Sequence, residues 1–366
     1  MNIIINTEQI LTPLQHVIGA VERKQTLPIL GNVLIQAENG IVTLTASDLE
    51  IELIANLNIS VDEDFSTTLP ARKLLDICKA LPTNSDINFT IEETKVLLVS
   101  GRSRFTLGTL PSKDFPRIDE IKSQSQFSIP QKNFKLLIDK TAFAMAQQDV
   151  RYYLNGMLLE LSSDRIRLVA TDGHRLALSE YETSTGLNTD RQLIIPRKGV
   201  LELARLLTQS DESVTVSISQ NHIRVETADL TFTSKLIDGK YPDYNRVIPV
   251  DGNKTMTVNR ELLKQSLQRI SILSNEKYRG IRFIFSENNL SIQANNPDQE
   301  EAEEEITVNY TEANIEIGFN VTYLLDVFSV LDSEDIEIKL KDSNSSCIIT
   351  STESNSFRYV VMPMRL

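Results

Sequence analysis

The feature that most limits how this chain can fold is that it repeats itself three times. The segment Val42-Thr-Leu-Thr-Ala46-Ser-Asp48 returns as Arg167-Leu-Val-Ala170-Thr-Asp172 and, more faintly, as Leu290-Ser-Ile-Gln-Ala294-Asn-Asn296, so Ala46, Ala170 and Ala294 fall at one constant offset of 124 residues. Upstream, Leu30-Gly-Asn-Val-Leu-Ile-Gln36 matches Leu154-Asn-Gly-Met-Leu-Leu-Glu160 and Tyr278-Arg-Gly-Ile-Arg-Phe-Ile284. Downstream, Thr68-Leu-Pro-Ala-Arg-Lys73 matches Ile194-Ile-Pro-Arg-Lys198, with Glu316-Ile-Gly-Phe-Asn320 in the third place. Self-similarity at a fixed period means one structural unit used repeatedly. A chain of 366 residues is also too long for one ordinary core, and at 41% apolar residues it can fill several.

Each copy reads in the same order. An apolar-periodic helix comes first, over about 8–20, 131–146 and 259–273, followed by alternating strands. A second helix, over about 71–80, 197–207 and 321–331, precedes further strands such as Ile87–Ile91, Val214–Ile218 and Ile336–Leu340. Pro70 and Pro196 stand just ahead of a second helix, where proline costs little, and Pro13 lies near a helix start. The expected fold is α+β: three repeated domains, 1–124, 125–250 and 251–366, each with two helices and antiparallel sheets.

Charge separates the helices from the rest. In the windows 7–24, 71–80, 131–146, 197–207, 259–273 and 321–331, fourteen Lys and Arg stand against seven Asp and Glu, a net of +7. The whole chain is at −13, which leaves −20 for everything else. Helices sharing one face of an assembly would make that face attractive to a polyanion while the remainder repels it. A helix surface simply rich in Lys and Arg gives the same count. Geometry adds a constraint, because six helices packed side by side in a ring span a circumference of about 57 Å and leave only about 8 Å clear, whereas twelve from two chains leave roughly 25 to 30 Å, enough for a duplex. A three-domain chain of this kind would therefore close as a head-to-tail dimer.

Other function classes find little support. The two cysteines, Cys78 and Cys347, sit in apolar stretches, which reads as buried thiols in a reducing compartment, the cytoplasm by default. The N-terminus lacks a basic region followed by a long apolar one, and no run approaches a membrane span, so neither export nor a membrane partner is expected. His16, His174 and His222 are scattered without metal spacing, and no phosphate-cradling glycine loop is present, so no cofactor or metal is expected. Asp172-Gly-His174-Arg175 is the one cluster that joins an acid, a flexible residue and a base, and a turn after an apolar strand explains it equally well.

Seven strings, in order over the whole chain, carry a resemblance. They are Thr26-Leu-Pro-Ile-Leu-Gly-Asn32, Ser100-Gly-Arg-Ser-Arg-Phe105, Gln148-Asp-Val-Arg-Tyr-Tyr-Leu-Asn-Gly-Met157, Ala170-Thr-Asp-Gly-His-Arg-Leu176, Ile195-Pro-Arg-Lys-Gly199, Leu273-Ser-Asn-Glu-Lys277 and Val360-Val-Met-Pro-Met-Arg-Leu366. Together they resemble the bacterial sliding clamps, the beta subunits of DNA polymerase III. The resemblance implies a non-enzymatic processivity factor of DNA replication, a homodimeric ring with helices inside and sheets outside. It implies loading onto double-stranded DNA by a clamp loader and the tethering of DNA polymerase III, other polymerases and repair proteins through short linear motifs.

Three sets of residues follow from that resemblance, position by position. Duplex contacts match Lys24, Arg72, Gln148, Tyr152, Tyr153, Arg197 and Lys198, side chains that suit phosphate contact without reading base sequence. Lys24 stands where an Arg is familiar, keeping the charge but not the planar fork. Core packing at a strand start is the other reading of Tyr152 and Tyr153. A partner-peptide pocket matches Leu154, Thr171, Gly173, His174, Arg175, Leu176, Pro242, Arg246, Val247, Asn320, Tyr323, Ser346, Val360, Val361, Met362, Pro363, Met364 and Arg365. Its aliphatic and methionine character suits related peptides, and Gly173 would let a ligand backbone approach. Asn344 departs from the family's small apolar residue at that edge. The C-terminal segment can equally complete a sheet, and both readings are compatible. The dimer seam matches Lys73, Arg102, Arg104, Phe105 and Leu107 on one side, and on the other Ile272, Leu273, Glu300, Glu301, Glu303 and Glu304 within the acidic stretch that ends at Glu305. Taken alone, that stretch reads as a solvated loop. A three-domain adaptor that never encircles DNA stays open as the alternative, and it would be monomeric.

Overall fold

The computed structural model describes residues 1–22, 27–118, 121–249 and 252–365. They form two compact units, Met1–Lys132 with Leu201–Leu236 and Asn133–Val200 with Ile237–Leu366. Each unit holds one eight-stranded and one four-stranded sheet, and every strand pairing is antiparallel. The units do not follow the repeat, because strands of the middle copy are shared between the two eight-stranded sheets. Of the two boundaries expected from sequence, Gln124 lies just before the Ser125–Pro130 strand, and Val250 with Asp251 lies outside the described residues.

The six α-helices among the described residues are α1 (Thr7–Val17), α2 (Ala71–Ala80), α3 (Gln131–Asp139), α4 (Arg197–Leu206), α5 (Arg260–Ile270) and α6 (Val321–Val330). Three begin on an asparagine whose side chain accepts backbone N–H groups of the first turn: Asn6, Asn259 and Asn320. Apolar spacing sets the buried face, with Ile10, Leu14 and Val17 of α1 at 0% exposure and Leu263, Leu267 and Ile270 of α5 at 2% or less. The first helix of each copy is shorter than its periodicity suggests. All three tighten into a 3-10 turn, Ile18–Ala20, Ala142–Ala144 and Ser271–Leu273. At the end of α3, Thr141 Oγ1 donates back to the Leu137 carbonyl at 2.8 Å, a local bond that competes with continued helix. Pro13 lies inside α1, not near its start, and withholds one helical N–H there.

Two sheet junctions repeat each other. In the first unit the Ile51–Leu57 strand pairs with Leu230–Lys235, setting Leu53 opposite Phe232. In the second, Arg175–Glu182 pairs with Phe357–Val361, setting Ala177 opposite Tyr359. Phe232 and Tyr359 are buried, each holding its junction from inside. The four-stranded sheets end instead on edge strands, Ser103–Gly108 in the first unit and Glu301–Thr307 in the second. Register identifies what those edges are. Phe105 faces Leu98 as Phe232 faces Val225 and Tyr359 faces Ile349, and Ala302 faces Ala294 as Leu53 faces Ala46 and Ala177 faces Ala170. No helix among the described residues is long and apolar enough to cross a membrane. Both cysteines are free and buried, and burial pushes each thiol up to about 12.

Candidate functional site

The second unit gathers most of the expected pocket around one turn. Asp172 Oδ1 accepts the backbone N–H groups of His174 and Arg175 at 2.9 and 3.0 Å, and Thr171 Oγ1 accepts that of Gly173 at 3.1 Å. These bonds hold Asp-Gly-His-Arg as a turn between strands, the non-catalytic reading of that cluster. Leu154, Leu176 and Val360 are buried in one cluster with Tyr241 and Tyr244, whereas Val361, expected beside them, is fully buried outside that cluster because the next residue along a strand faces the other side of the sheet. Above the cluster, Pro242, Arg246, Val247 and His174 are exposed, and Thr171, Ser346, Met362, Pro363 and Met364 are partly so. The C-terminal segment is fixed rather than frayed, since Met362 donates its N–H to the His174 carbonyl and Met364 to that of Gly318, both at 2.9 Å. Arg365 is exposed, and Leu366 lies outside the described residues. Asn344 is exposed on the turn after the Asp335–Leu340 strand.

Several of these residues are already bonded to partners within the chain. Arg175 donates to Asp172 (3.0 Å), to Asp326 and to the Phe143 carbonyl (2.9 Å), and its guanidinium lies 4.6 Å from the Tyr323 ring centroid. These charge-assisted bonds fix the Arg175 side chain in place beside Tyr323. Tyr323 also stacks with His174, centroids 6.3 Å apart, and burial raises its phenol. Asn320 spends its side chain capping α6 and donating to the Tyr278 carbonyl. Gly173 also has a reason within its own chain. Its φ is +90°, and a Cβ there would come within 2.9 Å of the Arg151 guanidinium.

Arg151 is the residue that sequence reasoning missed. It pairs with Asp149 through Nε (3.0 Å) and Nη2 (2.8 Å), and Nη2 also reaches the Asp172 carbonyl at 3.2 Å. Those bonds hold the Asp149 carboxyl down at about 2 and tie the 148–153 segment to the pocket turn. The signal was present, since Arg151 stands inside one of the seven strings. In that segment Gln148 has φ +56°, Val150 is 95% exposed and Tyr152 is 58% exposed, while Tyr153 packs partly against the pocket core. Tyr152 is therefore displayed, and the core-packing reading applies to Tyr153. Arg72 is exposed at the start of α2 and donates to the Val21 carbonyl at 2.7 Å. Arg197 donates to the Met145 carbonyl at 3.2 Å, and Lys198 is half-buried on α4. Lys24 lies outside the described residues.

The seam candidates lie on the two open edges. Arg102, Arg104 and Lys73 are exposed and Phe105 is partly so, but Leu107 is buried at 8% and faces its own core, so it is not available to a partner. Ile272 is 76% exposed, with Leu273 partly covered beside it. Glu300 accepts from Asn296, and Glu301 is exposed. The acidic stretch is an edge strand, not a loop, because its period-two pattern puts Ala302 and Ile306 inward and Glu301, Glu303 and Glu305 outward. Glu304 is committed within the chain, accepting from Arg269 of α5, while Glu303 accepts from Ser291 and Gln293.

The DNA polymerase III beta subunit models match end to end: the N-terminal domain over residues 1–119, the central domain over 128–243 and the C-terminal domain over 245–365. The chain belongs to the bacterial DNA polymerase III beta subunit family. The beta sliding clamp of Pseudomonas aeruginosa is 53% identical over 367 residues and that of Escherichia coli K12 49%, each alignment covering 100% of both chains. A crystal structure of the DNA polymerase III subunit beta from Pseudomonas aeruginosa superposes with a TM-score of 0.97 at 52% identity, again covering 100% of both chains. At 34% identity the Caulobacter crescentus pol III beta still superposes at 0.94. As a member of the beta sliding clamp family, the chain is a processivity factor of DNA replication and not an enzyme.

Proposed function

We propose that two copies close head to tail into a ring around double-stranded DNA, with the six helices of each copy toward the bore and the sheets outside. The observation that carries this reading is the pair of open edges. Two of the three equivalent sheet junctions are made within the chain, and the Ser103–Gly108 and Glu301–Thr307 strands are the halves of a third. Carrying the in-chain register across sets Phe105 of one copy opposite Ala302 of the other, with Arg104 opposite Glu303. Unpaired edges seek partners, and identical edges that complement one another at a fixed angle close a ring.

Contacts to the duplex would come from Lys24, Arg72, Gln148, Tyr152, Tyr153, Arg197 and Lys198, few and phosphate-directed, so that the ring slides. The cleft over Leu154, Leu176 and Val360, edged by Pro242, Val247, Met362 and Met364, would take short linear motifs of DNA polymerase III, the clamp loader and other polymerases and repair proteins. Methionines and aliphatic side chains that can rearrange suit several related peptides. Retention on nicked circular DNA tests the ring. Protein loaded by a clamp loader should stay through gel filtration and leave when the circle is cut once; retention on the linear product, or none on the circle, rejects encirclement.

A further inference from the structure

The first unit contains a cleft built like the one in the second. Asp48 Oδ1 accepts the N–H groups of Glu50 and Ile51 at 2.8 and 2.7 Å, and Ser47 Oγ accepts that of Leu49 at 3.2 Å, which reproduces the Thr171–Arg175 turn bond for bond. Lys235 donates its N–H to the Glu50 carbonyl at 2.8 Å, as Met362 does to His174 at 2.9 Å. The strand register puts His222 where Ser346 stands, and Pro116 follows buried Phe115 as Pro242 follows buried Tyr241. At this place lies a half-open cavity of about 230 Å³ lined by Ser47, Leu49, Pro116, Arg117, Ile118, His222 and Lys235.

Its chemistry differs from that of the second unit. Leu49 replaces Gly173 at the left-handed position, φ +77° against +90°, and remains 40% exposed on the cavity wall. A leucine held at such a φ costs backbone energy, and persists where the surroundings impose it. Arg117 and Lys235 are exposed at the rim, and among the described residues no carboxylate lines the cavity. Glu52 lies buried behind the wall, accepting the Ile118 N–H at 2.9 Å, and Glu50 points to solvent on the turn. His222 Nε2 is buried with no hydrogen-bond partner among the described residues. The cavity is smaller than the roughly 300–1,000 Å³ of drug-sized sites, which suits one anchored side chain with flanking contacts at the rim.

We propose that this first cleft is a second peptide site, selective for a short acidic segment that inserts one apolar side chain between Leu49, Pro116 and Ile118 while its carboxylates meet Arg117 and Lys235. It rests on reading the Thr171–Met362 cleft as a peptide pocket, and methyl resonances separate the two. Full-length protein labelled at Ile, Leu and Val methyls is titrated with the blocked peptide Asp-Leu-Asp-Leu-Glu and with its neutral counterpart Asn-Leu-Asn-Leu-Gln. The acidic peptide shifts Leu49 and Ile118. The neutral peptide and the R117E/K235E variant, whose two substitutions fall on exposed side chains, weaken that response about tenfold or more. Unmoved Leu49 and Ile118 methyls, or shifts indifferent to both charge changes, overturn the proposal. Response at Leu176 and Val360 with none at Leu49 and Ile118 overturns this proposal and leaves the pocket of the second unit standing.

Discussion

Glu52 stands in the first repeat where Leu176 stands in the second, so a carboxylate occupies a place that elsewhere holds pocket floor. It is 1% exposed, and desolvation raises its carboxyl above the usual 4.5 despite the Ile118 N–H and the charges of Arg117 and Arg224. The folded chain therefore holds this proton more tightly than the unfolded one, and the stability gained from it is complete below 4.5 and lost as pH climbs through the raised value. Glu52→Gln keeps an acceptor for Ile118 and never ionises. Denaturant unfolding should find E52Q more stable than the parent at pH 8, by a margin that shrinks toward pH 4.5; a pH-independent difference would show that burial is not the cause. Sequence alone could not have reached this. The repeat gave the position, but partner choice depends on which strand packs where, as it does for Arg151, for Arg175 with Asp326 and for Glu304 with Arg269.

Elements were more legible than residues, because period and offset are local properties. The three second helices lie within one residue of where their apolar spacing put them, at Ala71–Ala80, Arg197–Leu206 and Val321–Val330. The first helices ran short, since a periodicity of 3.6 continues through a 3-10 turn that buries the same face, as Ala20 and Ala144 do. Composition also misled at Glu301 to Glu305, where charge suggested a loop and alternation made a strand. That strand and Ile272 frame the proposed seam. Each aliphatic side chain buried there is worth about 1.5–3 kcal/mol, so charging both Ile272 and Leu273 to Asp should weaken dimerisation about a hundredfold or more. Analytical ultracentrifugation then shows monomers. An unchanged dimer would place the seam elsewhere, and Ile272 at 76% exposure makes collapse of the fold an unconvincing explanation for monomers.

At the scale of the whole molecule the charge distribution bears on how the proposed ring would stay on DNA. A chain at −13 is repelled by a polyanion over most of its surface, and the surplus of +7 over the six sequence windows that hold the helices would offer only scattered phosphate contacts. Adhesion through such contacts loses roughly 0.9 in log affinity per log unit of salt for each phosphate neutralised. Enclosure carries no such dependence, because leaving a circle requires opening a protein seam and not breaking contacts with DNA. The proposed seam would be apolar at Ile272 and Leu273 and backbone-paired along the edge strands, with Arg104 facing Glu303 as the screened part. Residence on a nicked circle should thus change little as salt rises from about 50 to about 200 mM, while binding of free protein to linear duplex, already weak, fades. Arg104→Glu should shorten residence on circles without altering the linear-duplex affinity, and combining it with Glu303→Arg should restore it. Residence that instead falls with salt as steeply as linear binding would mean that the protein is held by charge, and the closed ring would have to be given up.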